Sequence, residues 1–259
     1  MCLLGGLLKQ ILDYLDYFFL VLAGVGAGFI NVVAGGGSLI TLPLMIFMGL
    51  PPNIANGTNR VALFAQNVVA VTNFNSKGVA SKQYSILIGA MALLGAIIGA
   101  YIAVDIPEKL FNRILSVVMV VVAVLIFVKP SFQHDYAERL GQKHKTLGAI
   151  AFFFIGIYGG FLHAGIGFII MLALVKINRF SLVKTNSVKV TVALIYTVAA
   201  LVVFIWQDMI DWKVGAILAI GNATGGWLGS TFSIKKGDVW IKRILLVAIS
   251  VMAIKLWVF

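Results

Sequence analysis

The stretch Asn31-Val32-Val33-Ala34-Gly35-Gly36-Gly37-Ser38 interrupts a chain that is otherwise apolar for many residues on either side. Glycine is the costliest common helix residue after proline, because it surrenders the most backbone freedom, and here three stand in a row. A second interruption follows at Gly159-Gly160-Phe161-Leu162-His163-Ala164-Gly165-Ile166-Gly167. Inside a bilayer, broken backbone persists only where protein or trapped water satisfies its polar groups. Two such breaks in corresponding places predict two discontinuous helices whose tips meet inside a membrane protein.

Composition requires the membrane. Of the 259 residues, 61% are hydrophobic and 11% are charged, against roughly 45–50% and about 25% in soluble domains. Mean hydropathy is +1.04. A core of this size cannot hide so much apolar surface, so lipid is its solvent. Apolar segments fall near 18–33, 38–50, 55–74, 83–104, 110–128, 146–162, 165–178, 183–206, 213–233 and 239–258. Those at 38–50 and 165–178 are too short to cross ~30 Å at 1.5 Å per residue. The single cysteine, Cys2, excludes an internal disulfide, and no removable signal peptide is read at the N-terminus.

The second half repeats the first at an offset of about 130 residues. Gly28-Phe29 recurs as Gly160-Phe161, Gly95/Gly99 as Gly225/Gly229, Arg113-Ile114-Leu115 as Arg243-Ile244-Leu245, and Arg60 as Lys189. This divides the chain into a first membrane repeat at 1–128, a linker at 129–145 and a second repeat at 146–259. The loops 75–82, 129–145, 176–184 and 234–243 hold thirteen of the twenty Lys and Arg residues, which makes them cytoplasmic by the positive-inside rule. The net charge of +11 is thereby a loop property and no sign of a nucleic-acid partner. Segment 55–74 then runs inward and 183–206 outward, with both termini extracytoplasmic. The expected fold is an all-α polytopic protein of two inverted repeats, each with a broken or re-entrant glycine-rich helix pair plus three spanning helices. A parallel duplication with four spans per half competes, and it would put basic loops on both faces.

Candidate site residues follow from the breaks and from one polar helix. Amides around Gly35, Gly36, Gly37 and Ser38, and around Gly165 and Gly167, sit where helix N-termini would aim free N–H groups and positive dipole ends at the centre. Segment 55–74 carries a polar stripe that includes Asn56, Asn59 and Arg60; its partner carries Asn186 and Lys189. No Asp or Glu falls within a spanning segment to pair with either cation, so an anionic cargo is the expected counter-charge. The rival reading has both cations snorkelling to the interface. His163 stands at the second break, opposite Asn31 in the repeat alignment, and is a candidate proton sensor. Ser38 and His163 could also be read as a hydrolytic pair, but no strand-turn-helix context supports an enzyme. No metal or cofactor site is read.

Gly28-Phe29-Ile30-Asn31, Gly35-Gly36-Gly37-Ser38-Leu39-Ile40-Thr41-Leu42-Pro43, Gly49-Leu50-Pro51-Pro52 and Asn56-Gly57-Thr58-Asn59-Arg60 resemble the sulfite exporter TauE/SafE family. Tyr158-Gly159-Gly160-Phe161, Gly165-Ile166-Gly167 and Gly225-Gly226-Trp227-Leu228-Gly229 are similar to its second-half motifs. The resemblance implies a multi-pass permease of the plasma or inner membrane that exports sulfite, organosulfonates or similar small anions. Many members of the family carry an acid where this chain has Asn31, and small residues with a proline where it has Leu162-His163-Ala164. The expected function is therefore secondary transport of a small oxyanion. An anion channel, or a membrane assembly subunit that transports nothing, are the alternatives, and homo-oligomerisation is left open. The partners expected are the anion and the surrounding lipid.

Overall fold

A computed structural model of the chain describes residues 2–79, 81–127 and 137–258. Every regular element in them is helical: α1 Cys2–Val33, α2 Ser38–Phe47, α3 Pro52–Ser76, α4 Lys82–Asp105, α5 Glu108–Phe127, α6 Gln142–Phe161, α7 Ile166–Asn178, α8 Leu182–Trp206 and α9 Trp212–Val258. Within α9 the backbone leaves helical geometry at Gly237 (φ 70°, ψ −170°), so its limbs 212–236 and 238–258 are the two segments expected at 213–233 and 239–258. Residues 129–136 of the expected linker lie outside the described residues; 137–141 are non-helical and 142–145 open α6. The N-terminal boundary differs most from expectation. Helix α1 begins at Cys2 rather than near 18, because Lys9, Asp13 and Asp16 lower the hydropathy without breaking the helix.

Local chemistry accounts for the starts and stops. Pro52 opens α3, where its fixed φ suits a first helical residue and its missing N–H costs nothing. The Ser181 hydroxyl accepts the Lys184 amide at the start of α8. The Asp238 carboxylate, beside the α9 break, accepts the amides of Leu182 and Val183 at 3.0 and 2.9 Å. That bond pair ties the α9 break to the N-terminus of α8, satisfying two of the amides a helix start leaves orphaned.

Leu15–Val33, Lys82–Asp105 and Leu182–Trp206 are long and apolar enough to cross a membrane. Ser38–Phe47 and Ile166–Asn178 are apolar but short, as expected. Large apolar side chains face outward along the helices, among them Leu94, Ile98, Phe154, Val202 and Ile220, which lipid tolerates and water would not. Trp206 and Trp212, also exposed, flank the loop between α8 and α9, a place suited to an aromatic interfacial anchor.

The two sequence halves interleave. Helix α1 packs on α9 as α6 packs on α4; α3 packs on α9 as α8 packs on α4; and α3 meets α8. Glycines make these contacts, letting backbones approach as small residues do between membrane helices. A Cβ on Gly99 would come within 1.9 Å of Ile157 O and 2.7 Å of Phe161 N; one on Gly225 would come within 2.1 Å of Val25 O and 2.7 Å of Phe29 N. Likewise Gly95 faces Phe153 O and Gly221 faces Val21 O. In this packing Gly95/Gly99 make the same kind of contact as Gly221/Gly225, one turn earlier than the Gly225/Gly229 expected from sequence. Three glycines at four-residue spacing allow a one-turn slip that preserves the pattern, and only the packing distinguishes the registers.

Candidate functional site

At the first break α1 ends at Val33, and the chain turns through Gly35 at φ 94° before α2 begins. A Cβ on Gly37 would lie 2.2 Å from Ala27 O and 2.7 Å from the Asn31 Cβ, so the chain folds back against α1. At the second break His163 (φ 59°) and Gly165 (φ 69°) make the corresponding turn. The Tyr158 hydroxyl donates to Ala164 O and closes it. The two tips meet, as the sequence leads one to expect. A Cβ on Gly35 would come within 2.4 Å of the Gly167 carbonyl carbon, and one on Gly167 within 2.2 Å of the Gly35 Cα. Only two glycines permit that backbone-to-backbone contact.

Each cation reaches across to the tip of the opposite half. Arg60 Nη1 donates to Gly159 O at 2.6 Å and Nη2 to Gly160 O at 2.8 Å, while Asn56 Nδ2 donates to Phe161 O at 2.7 Å. Arg60 Nη2 is also 3.4 Å from Asn56 Oδ1. In the other half Lys189 Nζ donates to Val32 O and to Asn186 Oδ1, both at 2.8 Å, and Asn186 Nδ2 donates to Val33 O at 3.2 Å. Each Asn-cation pair thus caps the orphaned terminal carbonyls of a broken helix. Arg60 is fully buried and Lys189 is 3% exposed, which rules out snorkelling.

The helix ends at the two breaks contribute little net charge beside these cations. The C-termini of α1 and α6 carry about −0.5 charge each, whereas the N-termini of α2 and α7 return about +0.5 each. Two unit cations therefore remain nearly uncompensated, and neither meets a carboxylate among the described residues.

A small cavity lies against the second tip. Asn31, Gln66 and Asn67 come to its wall from the first half, and His163, Ile166, Gly167, Ile170, Lys189, Val190, Ala193 and Tyr196 from the second. The void is about 10 Å³, against the ~10–15 Å³ one water molecule requires, so it has room for about one water. Asn31 Nδ2 donates to Gln66 Oε1 at 3.3 Å, and His163 Nδ1 shares a hydrogen bond with the Tyr196 hydroxyl at 3.0 Å. Two buried donors nearby have no hydrogen-bond partner among the described residues: Asn67 Nδ2 and Arg60 Nε, the latter group lying beside the Phe204 ring.

Of the residues expected from sequence, Asn31, His163, Gly167 and Lys189 converge on this cavity. Arg60, Asn56 and Asn186 lie behind its wall as caps. Gly35, Gly36, Gly37 and Ser38 do not border it. Ser38 Oγ instead accepts from Asn59 Nδ2 at 3.1 Å, and Asn59 Oδ1 accepts from Thr41 at 2.9 Å, which knits α2 to α3. Gly165 forms the turn that delivers Gly167. Ser38 thus bonds to Asn59, whereas His163 bonds to Tyr196. Gln66 and Asn67, which belong to the polar stripe of segment 55–74, and Tyr196 also line the cavity, though none was among the expected site residues. Tyr196 was within reach, since Lys189, Ala193 and Tyr196 fall at i, i+4 and i+7 on one helical face.

The sulfite exporter TauE/SafE family matches residues 20–256. The chain is 29% identical to "Probable membrane transporter protein ORF9" of Sinorhizobium sp, over 92% of this chain and 91% of that one. It is 28% identical to a "Probable membrane transporter protein" of Haemophilus influenzae, covering 95% of each. To "Probable membrane transporter protein YfcA" of Escherichia coli K12 it is 26% identical over 89% and 85%. No solved structure matches the chain. With its apolar helices, its broken pair and a match running from α1 to the second limb of α9, the chain is a membrane transporter and belongs to the sulfite exporter TauE/SafE family.

Proposed function

We propose that this transporter is a secondary carrier that exports a small oxyanion, such as sulfite or an organosulfonate, across the plasma or inner membrane. The observation that supports this most is the pair of buried cations, Arg60 and Lys189, one from each half, whose partners are carbonyls and amides rather than carboxylates. Burying an unbalanced charge is costly, and a protein that keeps two beside a polar cavity gains by admitting an anion. The start of α7, at Ile166 and Gly167, adds a positive helix end to the same wall.

In this reading the halves, 1–128 and 146–259, are inverted repeats joined by a cytoplasmic linker, and both termini are extracytoplasmic. The cavity lies between α3 and α8, equivalent helices of the two halves. Parting the group α1, α3 and α9 from the group α4, α6 and α8, each of which draws helices from both halves, opens it to one side at a time, as alternating access requires. The interchanged packing of α1 on α9 and α6 on α4 supports two-fold equivalence.

The test is flux by purified protein in liposomes against sulfite, sulfate, alkylsulfonates, carboxylates and halides. Saturable movement of sulfite or a sulfonate, well below channel rates, is the expected result. Channel-like conductance would replace the carrier with a pore. Absence of flux for the whole panel would refute the oxyanion assignment.

A further inference from the structure

The two cations are equivalent by sequence but not by surroundings. Lys189 forms part of the cavity wall and Arg60 does not. The Arg60 guanidinium spends its terminal nitrogens on Gly159 O, Gly160 O and Asn56 Oδ1. Lys189 has three N–H donors; two go to Val32 O and Asn186 Oδ1, and the third meets only the Met171 thioether at 3.7 Å, a weak acceptor.

Opposite Lys189, on α3, stands Asn67. It is 1% exposed, its Oδ1 accepts from Gln66, and its Nδ2 has no partner among the described residues. A buried donor left unpaired loses its full hydration, and this one belongs to a residue of the cavity wall. Tyr196 occupies the position on α8 that Asn67 occupies on α3 when Arg60 is aligned with Lys189. Its hydroxyl meets His163 Nδ1. With that nitrogen donating, the phenolic O–H is free to donate into the cavity.

We infer that the anion is received by Lys189, Asn67 and Tyr196 in the cavity between α3 and α8, and that Arg60 is a positioning residue. This rests on the oxyanion reading above. Arg60 holds the end of α6, and through it the turn that carries His163 and Gly167 to the wall. Since the void admits about one water, loading requires α3 and α8 to part, which separates Asn67 from Lys189 and Tyr196. The site is made and unmade by the same motion that exposes it.

The experiment compares wild type, Asn67→Leu, Lys189→Gln, Arg60→Gln and Arg60→Lys in liposomes, reading half-saturating sulfite concentration, maximal rate and thermal stability. Asn67→Leu and Lys189→Gln should each raise the half-saturating concentration by about tenfold or more. Arg60→Gln should lower the maximal rate and the melting temperature with half-saturation within about threefold, and Arg60→Lys should restore part of the rate. Should Asn67→Leu not fold, Asn67→Ser is read by the shift in melting temperature that sulfite produces, expected to be smaller than in wild type. Wild-type half-saturation or shift in the Asn67 variant would mean that the cavity holds only a structural water and would overturn the assignment. A tenfold rise in half-saturation for Arg60→Gln would overturn the division between the cations. If wild type moves no anion of the panel, the oxyanion reading falls and this inference falls with it.

Discussion

Replacing Gly35 by alanine tests the meeting of the tips directly. Gly35 sits at φ 94°, where an L-residue costs ~1–2 kcal/mol. Its new Cβ would lie 2.4 Å from the Gly167 carbonyl carbon and 2.7 Å from Phe168 N. Both are backbone atoms that cannot swing aside, so the tips must part by roughly 1 Å to reach ordinary contact, at an overpacking cost of ~1–3 kcal/mol. The two effects together destabilise by about 2–5 kcal/mol. At ~2–4 °C per kcal/mol for a chain of this size, the apparent melting temperature should fall by roughly 4–20 °C. Gly167→Ala carries the steric cost without the left-handed one, since its Cβ meets Gly35 Cα at 2.2 Å from a helical position. Gly49→Ala isolates the conformational cost, because Gly49 has φ 95° and open space around it. The assay is thermal unfolding in detergent at one fixed scan rate, paired with liposome flux. Gly35→Ala should be the worst of the three, and both tip variants should lose flux while Gly49→Ala keeps it. Wild-type melting and flux in Gly35→Ala and Gly167→Ala would refute the tip-to-tip contact.

Gly36→Val should insert normally and lose most flux, with a smaller stability loss than Gly35→Ala, because the nearest obstacle is the end of the Phe168 ring at 2.9 Å rather than backbone; full flux would assign the glycine run to packing alone. Gly99→Ala and Gly225→Ala should destabilise by similar amounts, about 1–3 kcal/mol each, since both meet carbonyls of a facing helix at 1.9 and 2.1 Å; a wide difference in melting temperature would argue against the two-fold equivalence. Tyr84→Phe should cost ~1 kcal/mol by removing the 2.8 Å bond to Asn178 Oδ1, measured as a small drop in melting temperature. Cysteines placed at Lys77 and Lys143 should resist an impermeant thiol reagent on intact cells, and labelling of both from outside would overturn the inverted orientation.

By itself the sequence determined the solvent, the elements and the special positions. Apolar runs of helical length in a chain of 11% charge can only be membrane helices, because the hydrophobic effect acts on composition whatever the topology. Gly35 and Gly165 were legible as breaks, since the cost of glycine in a helix is local, and Arg60 and Lys189 stood out because charge among apolar residues is local too. Tertiary structure decided what no local property encodes. Whether Arg60 faces cargo or a carbonyl depends on which helix end lies beside it, and that end, Gly159 and Gly160, comes from the other half of the chain. The register of Gly95/Gly99 against Gly221/Gly225 was hidden for the same reason: the repeated spacing fits either turn, and only the facing carbonyls select one. Asn67 was legible as part of the polar stripe on its helix, but Tyr196 looks like an ordinary member of α8 until α3 and α8 are set side by side. A cavity belongs to no single helix, so its wall exists only after packing has joined elements far apart in the chain.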